Sequence, residues 1–139
     1  MWMRSSFRRD VGVLNEIFDF VREFFSTEQI DREHLFAVDL VVEEVFTNLV
    51  KYNQGTDHDI DICLDRNGDE MAIRLIDRNV DSFDLTQAVA DSIDKRLEER
   101  PIGGLGIHLV HKLMDEIDYE YADRQSTITL TKKLKGDDV

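Results

Sequence analysis

Apolar residues in the first third of the chain recur at intervals of three and four positions, which is the spacing of one face of an α-helix. Between Val11 and Phe25 this pattern predicts a helix that ends at Ser26 and Thr27. Asp31 stands where it can cap a second helix that runs to about Lys51. The apolar face of this second helix consists of Leu35, Val38, Val42, Val45, Phe46 and Leu49.

Alternating apolar and polar residues predict strands in most of the remaining chain. Asn67-Gly68 is a strong signal for a two-residue hairpin, and residues 123–125 are placed to close a second hairpin. Helical spacing returns after the glycines near residue 105 and lasts to 113, and a weaker helical pattern lies at 85–93. The strands are predicted at 59–65, 71–77, 117–121 and 127–134, with a short opening strand at 4–10.

This order of elements predicts an α/β (α+β) two-layer sandwich. Two helices, two strands, an acid-rich loop region, a helix and two further strands follow one another. Antiparallel hairpins form one sheet, and the helices cover one of its faces. No linker or repeat interrupts the pattern, so residues 1–139 are expected to form a single domain.

Composition and charge narrow the classes of function. The chain has 30 Asp and Glu against 17 Lys and Arg, a formal charge of −13, so we expect neither nucleic acid nor a membrane surface as its partner. The one cysteine permits no internal disulfide and no cysteine-based zinc site. The longest apolar runs have four residues and the N-terminus shows no secretory signal, so a cytoplasmic protein is expected.

The second helix carries the first candidate site. Glu44 and Asn48 are four residues apart and Lys51 is three further on, so the three side chains follow one stripe of the helix. An amide oxygen is a ligand for Mg²⁺, whose remaining positions phosphates often fill, and a carboxylate can accept a proton. The alternative is an ordinary solvated stripe, because such pairs are common on helix surfaces.

Three glycines mark the second candidate site, where a loop becomes a helix. Gly103, Gly104 and Gly106 let the backbone approach an anion, and the helix start offers unpaired N–H groups and a positive dipole end. Because the chain carries a net negative charge, it needs a local group of donors such as these N–H groups to bind a phosphate. The alternative is a glycine-rich turn that only begins a helix. The segment is neither a P-loop nor a dinucleotide fingerprint.

Asp77 is the third candidate. It has the same parity as Ile73 and Leu75, so it faces the apolar layer at the end of its strand, where a carboxylate needs a partner such as an adenine amino group. The alternative is an Asp that caps the following turn. Ser126 shares the parity of the apolar residues in the last strand, so its hydroxyl is also expected to face inward.

Taken in order, these motifs resemble the GHKL ATPase superfamily and, more narrowly, the bacterial anti-sigma regulatory factors, which are small serine-protein kinases. Two strings carry the resemblance: 43–52, EEVFTNLVKY, and 99–110, ERPIGGLGIHLV. The likeness extends from about Phe7 to Leu134. It implies a Bergerat-type, histidine-kinase-like ATPase fold with a mixed, mostly antiparallel sheet.

The resemblance also implies roles for single residues. Glu44 would be the general base for the attacking hydroxyl, and Asn48 would coordinate Mg²⁺ at the phosphates of ATP. Asp77 would accept a hydrogen bond from the adenine amino group, with Ser126 beside it. The remaining nucleotide-binding residues would be Lys51, Arg100, Gly103, Gly104, Leu105, Gly106 and Ile107. The implied partners are a sigma factor, an anti-sigma-factor antagonist that supplies the phosphorylated Ser or Thr, and a second copy of the chain.

One segment departs from the family pattern. Asn79 stands where the family has glycine, and Phe83 comes one residue late. Asparagine is the next-best residue for a positive φ, so the turn can survive, but Asp81 would weaken phosphate binding unless its carboxylate points away. This departure favours an alternative function, a regulatory module that docks a sigma factor or antagonist without phosphoryl transfer. A plain ATPase is the third candidate.

Overall fold

The computed structural model describes residues 2–53, 56–81 and 104–134, with the backbone alone at 104–107. The helix predicted at 85–93 lies outside this range. The helices are α1 (Leu14–Glu28), α2 (Leu35–Tyr52) and α3 (Gly104–Leu113). The strands are β1 (Met3–Phe7), β2 (Ile60–Asn67), β3 (Glu70–Arg78), β4 (Glu116–Ala122) and β5 (Gln125–Lys133).

The two long helices lie where the apolar spacing predicts them, with shifted ends. A single 3-10 turn precedes each helix, and Asp31 caps the second turn by accepting a hydrogen bond from the Glu33 N–H at 2.9 Å. The predicted end of α1 at Ser26 is wrong, because the helix continues to Glu28 and stops at Gln29, whose φ is 55°. Ser and Thr lower helix propensity by only a few tenths of a kcal/mol, and burial of Phe24 and Phe25 outweighs this.

The five described strands form one sheet in the order β1-β2-β3-β5-β4, and every neighbouring pair is antiparallel. Both predicted hairpins are present. The first turn is displaced by one residue, because Asn67 pairs with Glu70 and leaves Gly68 and Asp69 in the turn. The second turn holds Asp123 and Arg124, both with positive φ (53° and 60°), as a type I′ hairpin requires.

The core lies between one face of the sheet and the helices, which confirms the predicted two-layer sandwich. α2 is central, because it packs against α1, α3 and β3. The apolar residues of β2 and β3 alternate inward and meet the buried face of α2. The largest fully buried side chains are Phe24, Phe46, Ile17, Leu49, Ile60, Ile62, Leu64, Met71, Ile73, Leu75, Ile128 and Leu130.

The opposite face of the sheet, which we call the outer face, carries a buried acid. Asp61 is only 3% exposed. It accepts hydrogen bonds from Ser6, Arg4 and, at 2.6 Å, from Arg78 Nη1. Burial by itself raises the pKa of Asp61, but the hydrogen bonds from Ser6, Arg78 and Arg4 outweigh it, so the net pKa lies below its usual value.

Candidate functional site

The Glu44–Asn48 pair of α2 has the geometry that its spacing predicts. Asn48 is 4% exposed, and its Nδ2 donates to the Glu44 carbonyl and to Glu44 Oε2, both at 2.6 Å. The amide nitrogen is thereby committed to Glu44, which makes the amide oxygen the end of Asn48 suited to a cation. An oxygen held in this way matches the preference of Mg²⁺ for oxygen ligands.

The carboxyl group of Glu44 has a raised pKa. Burial is the main cause, since it disfavours the charged form, and the negative charge of Glu43 acts in the same direction. The hydrogen bond from Asn48 and the ammonium of Lys51 act against it without cancelling it. A carboxylate that is easier to protonate than usual is a better general base at neutral pH.

Lys51 does not share the buried environment of the other two residues. Its side chain is exposed, and its Nζ lies 6.0 Å from the ring centre of Tyr52. The polar stripe of α2 therefore passes from half-buried Glu44 and buried Asn48 to solvent at its C-terminal end. A nucleotide-binding role for Lys51 stays a prediction.

Asp77 and Ser126 lie side by side on the inner face of the sheet, as their parity predicts. They are direct partners in the pairing of β3 with β5, and they are 0% and 1% exposed. The Ser126 hydroxyl lies 3.4 Å from the hydroxyl of Tyr119 on β4. A carboxylate and a hydroxyl thus lie on neighbouring strands at the end of β3 that adjoins the C-terminus of α2.

Sequence reasoning missed the residues that contact Asp77. Arg9 donates from Nη1 to Oδ1 and from Nη2 to Oδ2 at 3.0 Å, and Asn53 Nδ2 donates to Oδ2 at 2.8 Å. Arg9 Nη2 also reaches the carbonyls of Leu49 and Asn53 at 3.1 and 3.0 Å. No pattern in the sequence signals this contact, because Arg9 and Asp77 are 68 positions apart.

The glycine segment begins a helix, as predicted. Gly104, Leu105, Gly106 and Ile107 form the first turn of α3, which packs against α2. The first N–H groups of a helix have no partner within it, so this turn presents donors. Gly103 and Arg100 lie outside the described residues. Phosphate binding by the segment stays a prediction.

The segment after Asp77 keeps a turn without glycine. Asn79 has a φ of 58°, which confirms that asparagine adopts the conformation expected there. The N–H of buried Val80 donates to the carbonyl of Arg124 at 3.0 Å. The carboxylate of Asp81 pairs with the Arg124 guanidinium at 2.9 Å, so its charge is directed to the turn between β4 and β5. Phe83 lies outside the described residues.

The described part of the chain holds neither a carboxylate-, histidine- or cysteine-based metal cluster nor a membrane-spanning helix. Residues 2–53, 56–81 and 104–134 hold no cluster of three or more His, Cys, Asp and Glu side chains arranged for a metal ion. Within the same ranges no helix has the length and apolar character to cross a membrane. Cys63 is buried, and burial raises the pKa of its thiol, which makes it a packing residue and not a nucleophile.

Comparison with known proteins identifies one protein family and several relatives. The sequence profile of the histidine kinase-like ATPase domain family matches residues 7–132. A serine-protein kinase named RsbW from Bacillus cereus is 30% identical over an alignment of 105 residues, and the alignment covers 72% of this chain and 64% of that protein. The chain thus spans slightly less than two thirds of this relative.

Solved structures support the fold. The RsbU and RsbW domains of a Mycobacterium tuberculosis protein match 96% of this chain and 32% of that one, with a TM-score of 0.68 at 16% identity. The SiaB–SiaC complex of Pseudomonas aeruginosa matches 94% of this chain and 87% of that one (TM-score 0.65, 17% identity). The Acinetobacter baumannii histidine kinase AdeS matches 96% and 68%, respectively (TM-score 0.55, 12% identity).

Proposed function

The chain belongs to the histidine kinase-like ATPase domain family, and we propose that it is an ATP- and Mg²⁺-dependent serine/threonine-protein kinase that acts as an anti-sigma regulatory factor. The observation that carries this proposal is the Glu44–Asn48 pair, in which a half-buried carboxylate of raised pKa fixes the orientation of a buried amide. The name of the Bacillus cereus relative, a serine-protein kinase, supports the same activity.

The residues present fit a magnesium nucleotide. Asn48 would supply an oxygen ligand to Mg²⁺, which would neutralise phosphate charge when bound. The first turn of α3 offers backbone N–H groups to phosphate oxygens, and Asp77 with Ser126 forms a polar end for the base. Arg100, Gly103 and Lys51 complete the proposed nucleotide-binding set.

Glu44 is the proposed general base. Its carboxylate accepts the proton of a substrate Ser or Thr hydroxyl as that oxygen forms a bond to the γ-phosphorus. The bond from the γ-phosphorus to the bridging oxygen of ATP breaks, and ADP leaves with the electron pair. The protein's main contribution is to hold the hydroxyl in line and to place donors around the phosphates.

The proposed partners are proteins. A small anti-sigma-factor antagonist supplies the acceptor hydroxyl, and a sigma factor is held inactive by the same chain. The complex in which SiaB was solved, together with SiaC, supports a regulatory protein partner. The formal charge of −13 supports the absence of nucleic acid and membrane from this set. The proposed location is the cytoplasm, where the cell's ATP pool is available.

The direct test is transfer of labelled phosphate. The chain is incubated with Mg²⁺, ATP labelled at the γ-position and each antagonist-type protein of the same cell. We expect label on a Ser or Thr of one of them. Absence of label from all of them, with ATP bound, contradicts the kinase activity.

A regulatory module without phosphoryl transfer is the second candidate, and the Arg9–Asp77 contact favours it because both carboxylate oxygens are already hydrogen-bonded. Thermal melting shows whether the chain binds nucleotide. Mg²⁺ and ATP at 100 times Kd raise the free energy of unfolding by about 2.7 kcal/mol. A shift without transfer to any partner favours a module that nucleotide switches, and no shift favours a module that binds no nucleotide.

A second copy of the chain is the last partner in the proposal, and the outer face of the sheet is its proposed interface. This face is basic on one side and acidic on the other, so two copies related by a twofold axis bring opposite charges together. Arg74 belongs to the basic side, where its guanidinium lies 4.4 Å from the ring centre of Trp2. The basic side consists of Arg4, Arg74 and Arg78, and the exposed acidic side of Glu116, Asp118 and Glu120.

Reversing one charge on this face is expected to shift the chain toward monomer. Arg74→Glu places a carboxylate opposite the acidic side of the second copy, and sedimentation velocity at low salt measures the dimer fraction. Arg32→Glu makes the same charge change in the turn before α2 and is the matched control. An unchanged dimer in Arg74→Glu, or a wild-type chain that is monomeric at low salt, contradicts the proposed interface.

A further inference from the structure

Arg9 is buried against the carboxylate that is proposed to recognise the base. Its side chain is 8% exposed and that of Asp77 is 0% exposed. The guanidinium contacts both oxygens of Asp77, and Asn53 adds a third hydrogen bond at 2.8 Å. A bidentate, charge-assisted contact of this kind is among the strongest that a carboxylate makes.

The edge of a guanidinium and the amino edge of adenine offer the same chemistry, since each presents N–H donors in a plane. An adenine amino group that approaches Asp77 from the side of Arg9 therefore has to displace the guanidinium. We propose that Arg9 competes with the nucleobase for Asp77 and thereby sets both the affinity and the base selectivity of the nucleotide site. This inference rests on the proposed function, because it concerns the same site.

Arg9 has other partners that it can keep when it leaves the carboxylate. It lies in the short segment between β1 and the first 3-10 turn, and its guanidinium donates to the carbonyls of Leu49, Asn53 and His58 at 3.1, 3.0 and 3.3 Å. Leu49 and Asn53 belong to the C-terminal end of α2, where the helix dipole favours a cation. A small movement of the guanidinium therefore frees Asp77 without removing Arg9 from the end of the helix.

The competition has a consequence for base selectivity. While Arg9 holds Asp77, the base adds little to binding, so ADP and GDP are expected to bind with similar affinity. Without Arg9, Asp77 accepts a hydrogen bond from the amino group at position 6 of adenine. Guanine has a carbonyl oxygen at that position, which a carboxylate repels. The gain in affinity is therefore expected for ADP alone.

The test is a calorimetric titration of the full chain with Mg-ADP and Mg-GDP. Arg9→Ala is expected to tighten ADP binding roughly tenfold, because ADP no longer has to select a minor open state, and not to tighten GDP binding. Arg8→Ala, at the exposed neighbouring arginine, is the matched control and is expected to change neither affinity. Arg9→Lys keeps a cation near the carbonyls of α2, but its ammonium cannot contact both carboxylate oxygens of Asp77, so an intermediate gain in ADP affinity is expected. If Arg9→Ala does not fold, the ADP affinity of Arg9→Lys tests the role of Arg9.

The outcomes separate this inference from the proposed function. Equal ADP affinity in wild type and folded Arg9 variants, or weaker binding in the variants, overturns the role of Arg9 and leaves nucleotide binding intact. A tenfold gain for both ADP and GDP overturns the role in base selectivity. Absence of nucleotide binding in all variants and in wild type overturns the proposed function, and the inference with it.

Discussion

Glu44→Gln is expected to slow phosphoryl transfer to the antagonist by about 10²- to 10⁴-fold, the contribution of a positioned general base. The neutral amide cannot take the proton from the attacking hydroxyl. Its oxygen still accepts a hydrogen bond from Asn48, so the geometry of the pair and the binding of Mg-ADP are expected to persist. Single-turnover transfer of labelled phosphate measures the first effect, and calorimetric titration with Mg-ADP measures the second.

Glu43→Gln is the matched control for this substitution. Glu43 is the adjacent residue of α2 and points about 100° away around the helix. Removing its charge is expected to leave transfer within a few-fold of wild type. Transfer at the wild-type rate by Glu44→Gln contradicts the assignment of Glu44 as the general base. An equal loss of transfer rate in Glu44→Gln and Glu43→Gln shows an effect of negative charge alone.

The raised pKa of Glu44 also gives the transfer rate a pH dependence. Transfer requires the ionised carboxylate, so the rate falls as pH drops through the pKa of this group. Burial places that pKa above the ordinary value of 4.5. The acidic limb of the rate profile is therefore expected above pH 4.5 in wild type. A single-turnover profile that stays flat until lower pH contradicts the role of the buried carboxylate.

Asp61→Asn is expected to lower the free energy of unfolding at pH 7 by about 2 kcal/mol, the size expected for lost hydrogen bonds to a buried charge. The amide accepts fewer hydrogen bonds from Ser6, Arg4 and Arg78 than the carboxylate does, and it forms no ion pair. Urea unfolding followed by circular dichroism measures the difference. Asp118→Asn, on the exposed acidic side of the outer face, is the control and is expected to change stability by less than about 0.5 kcal/mol.

The pH dependence of the same variant has a definite sign. The pKa of Asp61 is lower in the folded than in the unfolded chain, so its stabilisation is present above the unfolded value of about 3.9 and is lost as pH falls through the folded value. The difference between wild type and Asp61→Asn is therefore expected to be constant from pH 7 to about pH 5 and to shrink below pH 4. A difference that shrinks above pH 5 contradicts a lowered pKa.

Local patterns sufficed to place much of the candidate site. Helical spacing put Glu44 and Asn48 on one stripe, and the hydrogen bond between their side chains follows from that spacing alone. Strand parity placed Asp77 and Ser126 on the inner face, where the pairing of β3 with β5 makes them neighbours. The conformational preference of asparagine accounted for the positive φ at Asn79.

The contacts that no local pattern predicts join distant parts of the chain. Arg9 meets Asp77 because β1 and β3 both pair with β2, a consequence of topology that periodicity does not contain. Asp61 is buried on the outer face for the same reason, since Arg4 and Arg78 come from the strands on either side of β2. The end of α1 was also not predictable from local sequence, because the burial of Phe25 outweighs the low helix propensity of Ser26.

β4 is an edge strand of the described sheet. The backbone N–H and C=O groups on its outer edge can pair with a strand of a neighbouring molecule. Glu116, Asp118 and Glu120 put a carboxylate at every second position along it. Two edge strands that both carry these carboxylates repel each other when they approach. This repulsion opposes the growth of the sheet into fibrils through β4, even at high protein concentrations at which uncharged edge strands aggregate.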